Sequence, residues 1–222
     1  MGVMITDIII EGNGHLFFDH GERNHLSIKA HICTKISRND TTLTVSDEFA
    51  RHDKTKWLTA DNCIEYLTEC DYSSIKSVKL TGSVTATFTM PFDDDECMIM
   101  LNDETHLSLT NMRSFNNLII ILRGKCSVHM FDVGVDTQIK PRHIRNLNVI
   151  VEGSGEVIMG DGVIESAILQ VTGRGLISEA LIEGDALLTV TNDGRIQCDA
   201  STRARIVEHN KGGSITVGCY HL

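Results

Sequence analysis

Short stretches of alternating apolar and polar residues recur along this chain, each followed by a polar turn that contains glycine. The clearest run fills the C-terminal third, where residues 147–167, 168–186, 187–205 and 206–222 follow one plan. Each segment opens with an alternating strand, reaches a glycine turn and continues into a second short strand. The aligned glycines are Gly155, Gly175, Gly194 and Gly213, with steps of 20, 19 and 19 residues between them. A fixed period of this size predicts a stacked architecture. One such coil cannot bury its own apolar side, whereas in a stack each inward Val, Ile or Leu rests on its counterpart in the next coil. Alternation of the kind seen in Leu187-Leu188-Thr189-Val190-Thr191 sends every second residue inward. The aligned glycines are expected at bends that need φ > 0. Asn192-Asp193-Gly194 and Asn210-Lys211-Gly212-Gly213 supply the turn chemistry.

A weaker echo runs upstream. Residues 77–88 and 118–130 have the same strand–glycine–strand shape around Gly82 and Gly124, residues 98–101 and 106–109 flank Asn102-Asp103, and residues 8–18 open the series. The pattern predicts an all-β fold. The expected architecture is one domain over residues 1–222, a single right-handed parallel β-helix (a β-solenoid) with coils of about 20 residues. An irregular insertion around 46–68 interrupts it, with a short helix after Asp61 that half-buries Ile64, Tyr66 and Leu67. An antiparallel β-sandwich or barrel is the alternative, because half-coils have the spacing of its strands. The leucine-rich repeat consensus is absent.

Composition sharpens the class. Hydrophobic residues make up 41% of the chain but aromatic residues only 5%, so the core must be built from Ile, Leu, Val and Met. The 30 Asp and Glu exceed the 20 Lys and Arg, a net charge of −10. That balance argues against nucleic acid, whose phosphates require clustered cations, and against an anionic membrane. The seven cysteines, Cys33, Cys63, Cys70, Cys97, Cys126, Cys198 and Cys219, are odd in number, widely spaced and without a C-x-x-C pair. They are expected to be reduced core thiols in a reducing compartment. No apolar run approaches the ~18 residues of a transmembrane segment, and the N-terminus lacks the features of a signal peptide. The expected location is the cytoplasm, or a particle assembled there.

Few constellations suggest chemistry. Lys140-Pro141-Arg142-His143-Ile144-Arg145 is a basic island in an acidic chain. Lys140, Arg142, His143 and Arg145 are therefore the candidate binding residues, suited to an acidic protein or a carboxylated glycan through arginine forks. Asp93-Asp94-Asp95-Glu96 is the densest acidic cluster, but the repeated glycine–aspartate pattern of calcium-binding coils does not accompany it. His15, His20, His25 and His31 are five or six residues apart, which matches neither H-E-x-x-H nor a compact zinc motif. Gly12-Asn13-Gly14 and Gly153-Ser154-Gly155 complete no nucleotide-binding loop. No metal and no cofactor is expected, and no catalytic residue is assigned.

The turns of the repeat carry a resemblance. Val151-Glu152-Gly153-Ser154-Gly155-Glu156-Val157, Val171-Thr172-Gly173-Arg174-Gly175-Leu176-Ile177 and Val190-Thr191-Asn192-Asp193-Gly194-Arg195-Ile196 resemble the turns of the auto-transporter adhesin head (GIN) domain family. The likeness is best over residues 147–217. It implies strands separated by G-S-G-like turns and stacked as a parallel β-helix, with an adhesin-like role. Relatives of this kind are commonly exported envelope proteins; joined to reduced thiols, the same fold also suits a virion or phage component.

The expected function is that of a non-enzymatic structural or binding module, adhesin-head-like or active in particle assembly, working through protein–protein contacts. A protein partner or self-association is expected because a solenoid leaves unpaired strand edges at its ends. The alternative is a carbohydrate-active β-helix enzyme using Asp93–Glu96, or Asp193 with Asp199, which requires carboxylates facing each other from neighbouring coils. The single Trp57 counts against a sugar platform.

Overall fold

The computed structural model describes residues 5–20, 25–31, 34–47, 63–69, 75–89, 95–110, 114–131, 142–160 and 162–220. Seventeen strands join one mostly parallel sheet, and no helix occurs among the described residues. The first rung is β1 (Asp7–His20). The N-terminal part continues through β2 (His25–His31), β3 (Thr34–Asn39), β4 (Thr42–Asp47) and β5 (Cys63–Glu69). Beyond them come β6 (Ser77–Phe88), β7 (Glu96–Asp103), β8 (His106–Thr110), β9 (Phe115–Gly124) and β10 (Ser127–Phe131). The last are β11 (Arg142–Gly153), β12 (Glu156–Ile158), β13 (Gly162–Gly173), β14 (Leu176–Thr191), β15 (Arg195–Ser201), β16 (Arg205–Lys211) and β17 (Ser214–Tyr220).

From β6 onward every pairing is parallel and the chain returns to the same position at a regular interval. Ala86 lies beside Leu107, 21 residues on, and Leu107 beside Val128, 21 further. Val128 then lies beside Val157 after 29 residues, followed by Ile177, Ile196 and Ile215 at steps of 20, 19 and 19. A second column joins Ile8, Val78, Ile99, Ile120, Val149, Leu169 and Leu188. Each member of that column is at most 1% exposed, so inward alternation becomes a continuous core of branched aliphatic side chains. The few aromatic residues are concentrated at the N-terminal end, where Phe18 and Phe88 stack with centroids 4.2 Å apart.

Antiparallel pairing, the alternative weighed above, is confined to the N-terminal part: β1 with β2, β2 with β5, and β3 with β4. There β4 also covers the outer edge of β1 in parallel register. Residues 63–69 form a strand, not the expected helix, because β2 offers a full row of partners from His25–Glu69 to His31–Cys63. The Tyr66 hydroxyl donates to the Thr34 carbonyl at 3.1 Å and Ser27 bonds Glu65, which ties this strand down. Asp61 and the start of the proposed insertion lie outside the described residues.

The aligned glycines do not adopt φ > 0. The left-handed conformation falls two residues earlier, at Gly153 (φ 111), Gly173 (φ 115), Asn192 (φ 58) and Gly212 (φ 103). Gly155, Gly175, Gly194 and Gly213 are required for closeness instead. A Cβ on Gly175 would sit 2.4 Å from Val151 Cγ1 and 2.8 Å from the Gly155 carbonyl, and one on Gly213 would sit 2.1 Å from Val190 Cγ1. In the earlier coils the same inner corner is filled by buried Thr105 and Cys126.

Cys97, Cys126 and Cys198 are buried free thiols, as expected, whereas Cys219 is exposed, on β17 at the last rung. Burial, reinforced by Asp199 and Glu208, pushes the Cys198 thiol up to about 11. At that C-terminal end Glu208 and Asn210 occupy the register positions of Leu188 and Val190, and β16 is exposed along most of its length. Polar residues at inward positions are what a terminal coil needs, since no further rung covers it here.

Candidate binding surface

The basic island is only partly gathered. Lys140 and the side chain of Arg142 lie outside the described residues. His143 and Arg145 project from β11 beside Glu165, one rung on, with His143 Nδ1 at 3.3 Å and Arg145 Nε at 3.8 Å from its carboxylate. The three share an open cleft of about 170 Å³ with Ser114, Phe115 and Asn116. An anion entering it meets Glu165 together with the cations, and the groups are about half exposed, so water screens their attraction. The expectation of a free basic fork is therefore corrected for His143 and Arg145: a carboxylate 20 positions on in sequence already faces them.

The other candidates stay apart. Asp93 and Asp94 lie outside the described residues; Asp95 is exposed and accepts from Asn116 Nδ2 at 2.8 Å. The neighbours in register with Asp199 are Leu181 and Gly218, so no carboxylate faces it across a rung. His15 borders a cavity of about 10 Å³ with Asn13, Thr34 and Val84, and burial holds its imidazole below the ordinary range. The side chains of His20, His25 and His31 lie outside the described residues. Among the described residues no group of three or more metal-ligating side chains gathers.

The outward-facing columns, which the repeat does not advertise, differ sharply between two sides of the stack. On one side lie Thr85, His106, Ser127, Glu156, Leu176, Arg195 and Ser214 in one column, with Thr87, Ser108, His129, Ile158 and Ser178 beside it. Its polar groups bond across rungs: His106 Nδ1 and Ser127 Oγ are 2.7 Å apart, and His129 Nε2 lies 3.1 Å from Glu156 Oε1.

On the other side one column is Met98, Ile119, Asn148, Ile168, Leu187 and Val207. The adjacent column is Met100, Ile121, Ile150, Gln170, Thr189 and His209. Ile168 is 49% exposed and Val207 53%, while Met98, Met100, Ile119, Ile121, Ile150 and Leu187 are partly exposed. Adjacent apolar side chains on an outward sheet face form a contiguous patch of the kind that marks contact surfaces. Asn148 interrupts it, and its buried Oδ1 has no hydrogen-bond partner. Flanking polar columns border the patch. One runs Glu96, Asn117, Asn146, Ser166, Asp185, Arg205; the other runs Asn102, Arg123, Glu152, Thr172, Thr191, Lys211. Arg205 grips Asp185 with two bonds of 2.7 Å, and Arg123 Nε meets Glu152 at 3.0 Å. The sequence signal for this patch was available: strand stretches such as Leu118-Ile119-Ile120-Ile121-Leu122 are apolar without alternation.

No family model matches the chain, and no curated protein matches it in sequence. Its fold is shared with solved structures. A candidate adhesin from Bacteroides fragilis NCTC 9343 superposes with a TM-score of 0.73 at 12% identity, over 98% of this chain and 93% of that one. A candidate adhesin from Parabacteroides distasonis ATCC 8503 gives 0.61 at 16% identity, over 98% and 93%. A candidate lipid binding protein from the same organism gives 0.59 at 12% identity, over 100% and 95%. These neighbours make the resemblance adhesin-like at the level of fold, and no matching model attaches the GIN family to it.

Proposed function

We propose that this chain is a non-enzymatic binding body that works through protein–protein contacts on its apolar outer face. Its scaffold is a single domain over residues 1–222, wound as a right-handed parallel β-helix. The hand follows from the chirality of parallel strand crossovers, which are right-handed in about 98% of cases. The observation that carries the function is the patch of Met98, Met100, Ile119, Ile121, Ile150, Ile168, Leu187 and Val207 on one outward face. Its polar counterpart across the stack shows that the fold does not demand apolar residues on the outside. The adhesin-like neighbours support a binding role. The free buried thiols of Cys97, Cys126 and Cys198 support folding in a reducing compartment, the cytoplasm or a particle assembled there.

The test is photocrosslinking from defined positions on the full chain in its native extract. A photoreactive residue at Ile168 should give protein adducts of discrete mass, which Val207→Asp removes, while the same probe at Ser108 on the polar face gives none. Equal labelling from both faces would defeat the proposal, as would co-flotation with phosphatidylcholine vesicles that depends on Ile168.

A further inference from the structure

The patch and its borders are self-complementary, and we infer that its occupant is a second copy of this chain, packed face to face about a two-fold axis parallel to the strands. The inference rests on the reading of this face as a protein contact surface and names the partner.

Charge comes first. The two bordering columns hold three acidic residues, Glu96, Glu152 and Asp185, and three basic ones, Arg123, Arg205 and Lys211. The face is therefore neutral on a chain whose net charge is −10, so two copies repel each other least on this side. The same neutrality, with acids at the border, gives an anionic lipid surface no purchase.

Geometry then selects one arrangement. A two-fold axis parallel to the strands, passing between β11 and β13, sets β7 against β16, β9 against β14 and β11 against β13 of the second copy. Glu96 then faces Arg205, Asn117 faces Asp185 and Asn146 faces Ser166; on the opposite border Lys211 faces Asn102 and Arg123 faces Thr191. No like charges meet. A two-fold axis along the stack would instead set Arg205 against Lys211, a repulsive pair. In the favoured arrangement Met98 meets Val207 and Ile119 meets Leu187, with Asn148 against Ile168. The pairings across these columns carry no register shift; the one shift in β13 lies between Ile164 and Ser166, outside the patch. Regular sheets of this kind pack face to face at about 10 Å.

Area sets the strength. Six strands about 4.8 Å apart, each contributing seven residues at about 3.3 Å, give a face of about 600 Å² per copy. Two such faces bury about 1,200 Å², the lower bound for a specific interface, so a dissociation constant of about micromolar order is expected.

Sedimentation velocity on the purified, reduced chain over a wide concentration range tests this. The wild type should pass reversibly from monomer to dimer, and Ile168→Asp should remain monomeric with an unchanged circular dichroism spectrum. Glu96→Arg and Arg205→Glu should each weaken the dimer by about tenfold or more, because each places like charges together twice. Mixing those two variants should restore association to near the wild-type level, since both contacts of the mixed dimer become opposite in sign. A wild type that stays monomeric throughout, or variants that fail to complement on mixing, would overturn the second copy as occupant. If Ile168 still crosslinks to a different protein in the extract, the broader reading of the face survives that failure. If the dimer persists in Ile168→Asp, self-association uses another surface and this inference is wrong.

Discussion

On the face built from β8, β10, β12 and β15, outward side chains satisfy one another across rungs, as His106 does Ser127 and His129 does Glu156. On the face built from β7, β9, β11 and β13, outward side chains are methionine and isoleucine, and only the borders are polar. The backbone plan is the same on both sides: parallel rungs, inward alternation, neighbours about 20 residues apart in sequence. Since inward packing supplies the stability of a stack, the outer residues are free to vary. Their difference therefore reports on what each side meets rather than on how the chain folds.

Substitutions can break or sharpen that comparison. The largest effect is expected from Val149→Asp, which buries a carboxylate in a position that is fully enclosed. It should cost about 4 kcal/mol or more and remove both faces together, as seen by chemical denaturation. Its chain neighbour points outward, so Ile150→Asp should stay within about 1 kcal/mol of the wild type and alter only association.

Next in size is Gly175→Ala, whose new methyl would meet Val151 and the Gly155 carbonyl at the inner corner shared by both sheets. A loss of about 1–3 kcal/mol is expected, against almost none for Arg174→Ala in the exposed turn beside it. A smaller gain should come from Asn148→Ile, which removes the unpartnered amide oxygen and completes the apolar column. A rise of about 1 kcal/mol in stability and tighter association are expected, because an unsatisfied buried acceptor costs about that much.

The smallest effect is chemical. Cys198 is raised from an ordinary 9.0 to about 11 by burial, Asp199 and Glu208, so its folded form holds the proton more tightly than its unfolded form. The stability tied to that proton is fully present below about pH 9 and is lost as the pH climbs towards 11. At pH 8 a thiol reagent should modify exposed Cys219 well before Cys198, as peptide mapping would show.

Much of the scaffold is legible along the chain. The alternation in Leu187–Thr191 and its recurrence with the glycines predict inward columns, and the buried series from Ile120 through Val149 and Leu169 to Leu188 follows that pattern. The glycine logic is legible in place but not in cause: the left-handed bend sits at Gly153 and Gly173, and Gly155 and Gly175 are small because a core valine or a neighbouring carbonyl occupies the space of a Cβ. Residues 63–69 illustrate a different gap, since a short apolar segment takes the conformation of whatever edge it finds, here β2. Cys219 departs from the other described thiols because it lies on the last rung, where no further coil covers it here.

The sequence by itself determined the period, the inward alternation and the all-β class, because these depend on residues close together in the chain. Only the tertiary structure decided which outward residues become neighbours. Columns join residues one coil apart, and the coil is not constant: 70 residues separate Leu16 from Ala86, and 29 separate Val128 from Val157. No fixed period survives those excursions, so the facing of His143 and Arg145 by Glu165, and the gathering of Met98, Ile119, Ile168, Leu187 and Val207 on one side, follow from the hydrogen-bonded register. That register is set by burial of the inward set, since a slip of one residue would turn every core side chain outward.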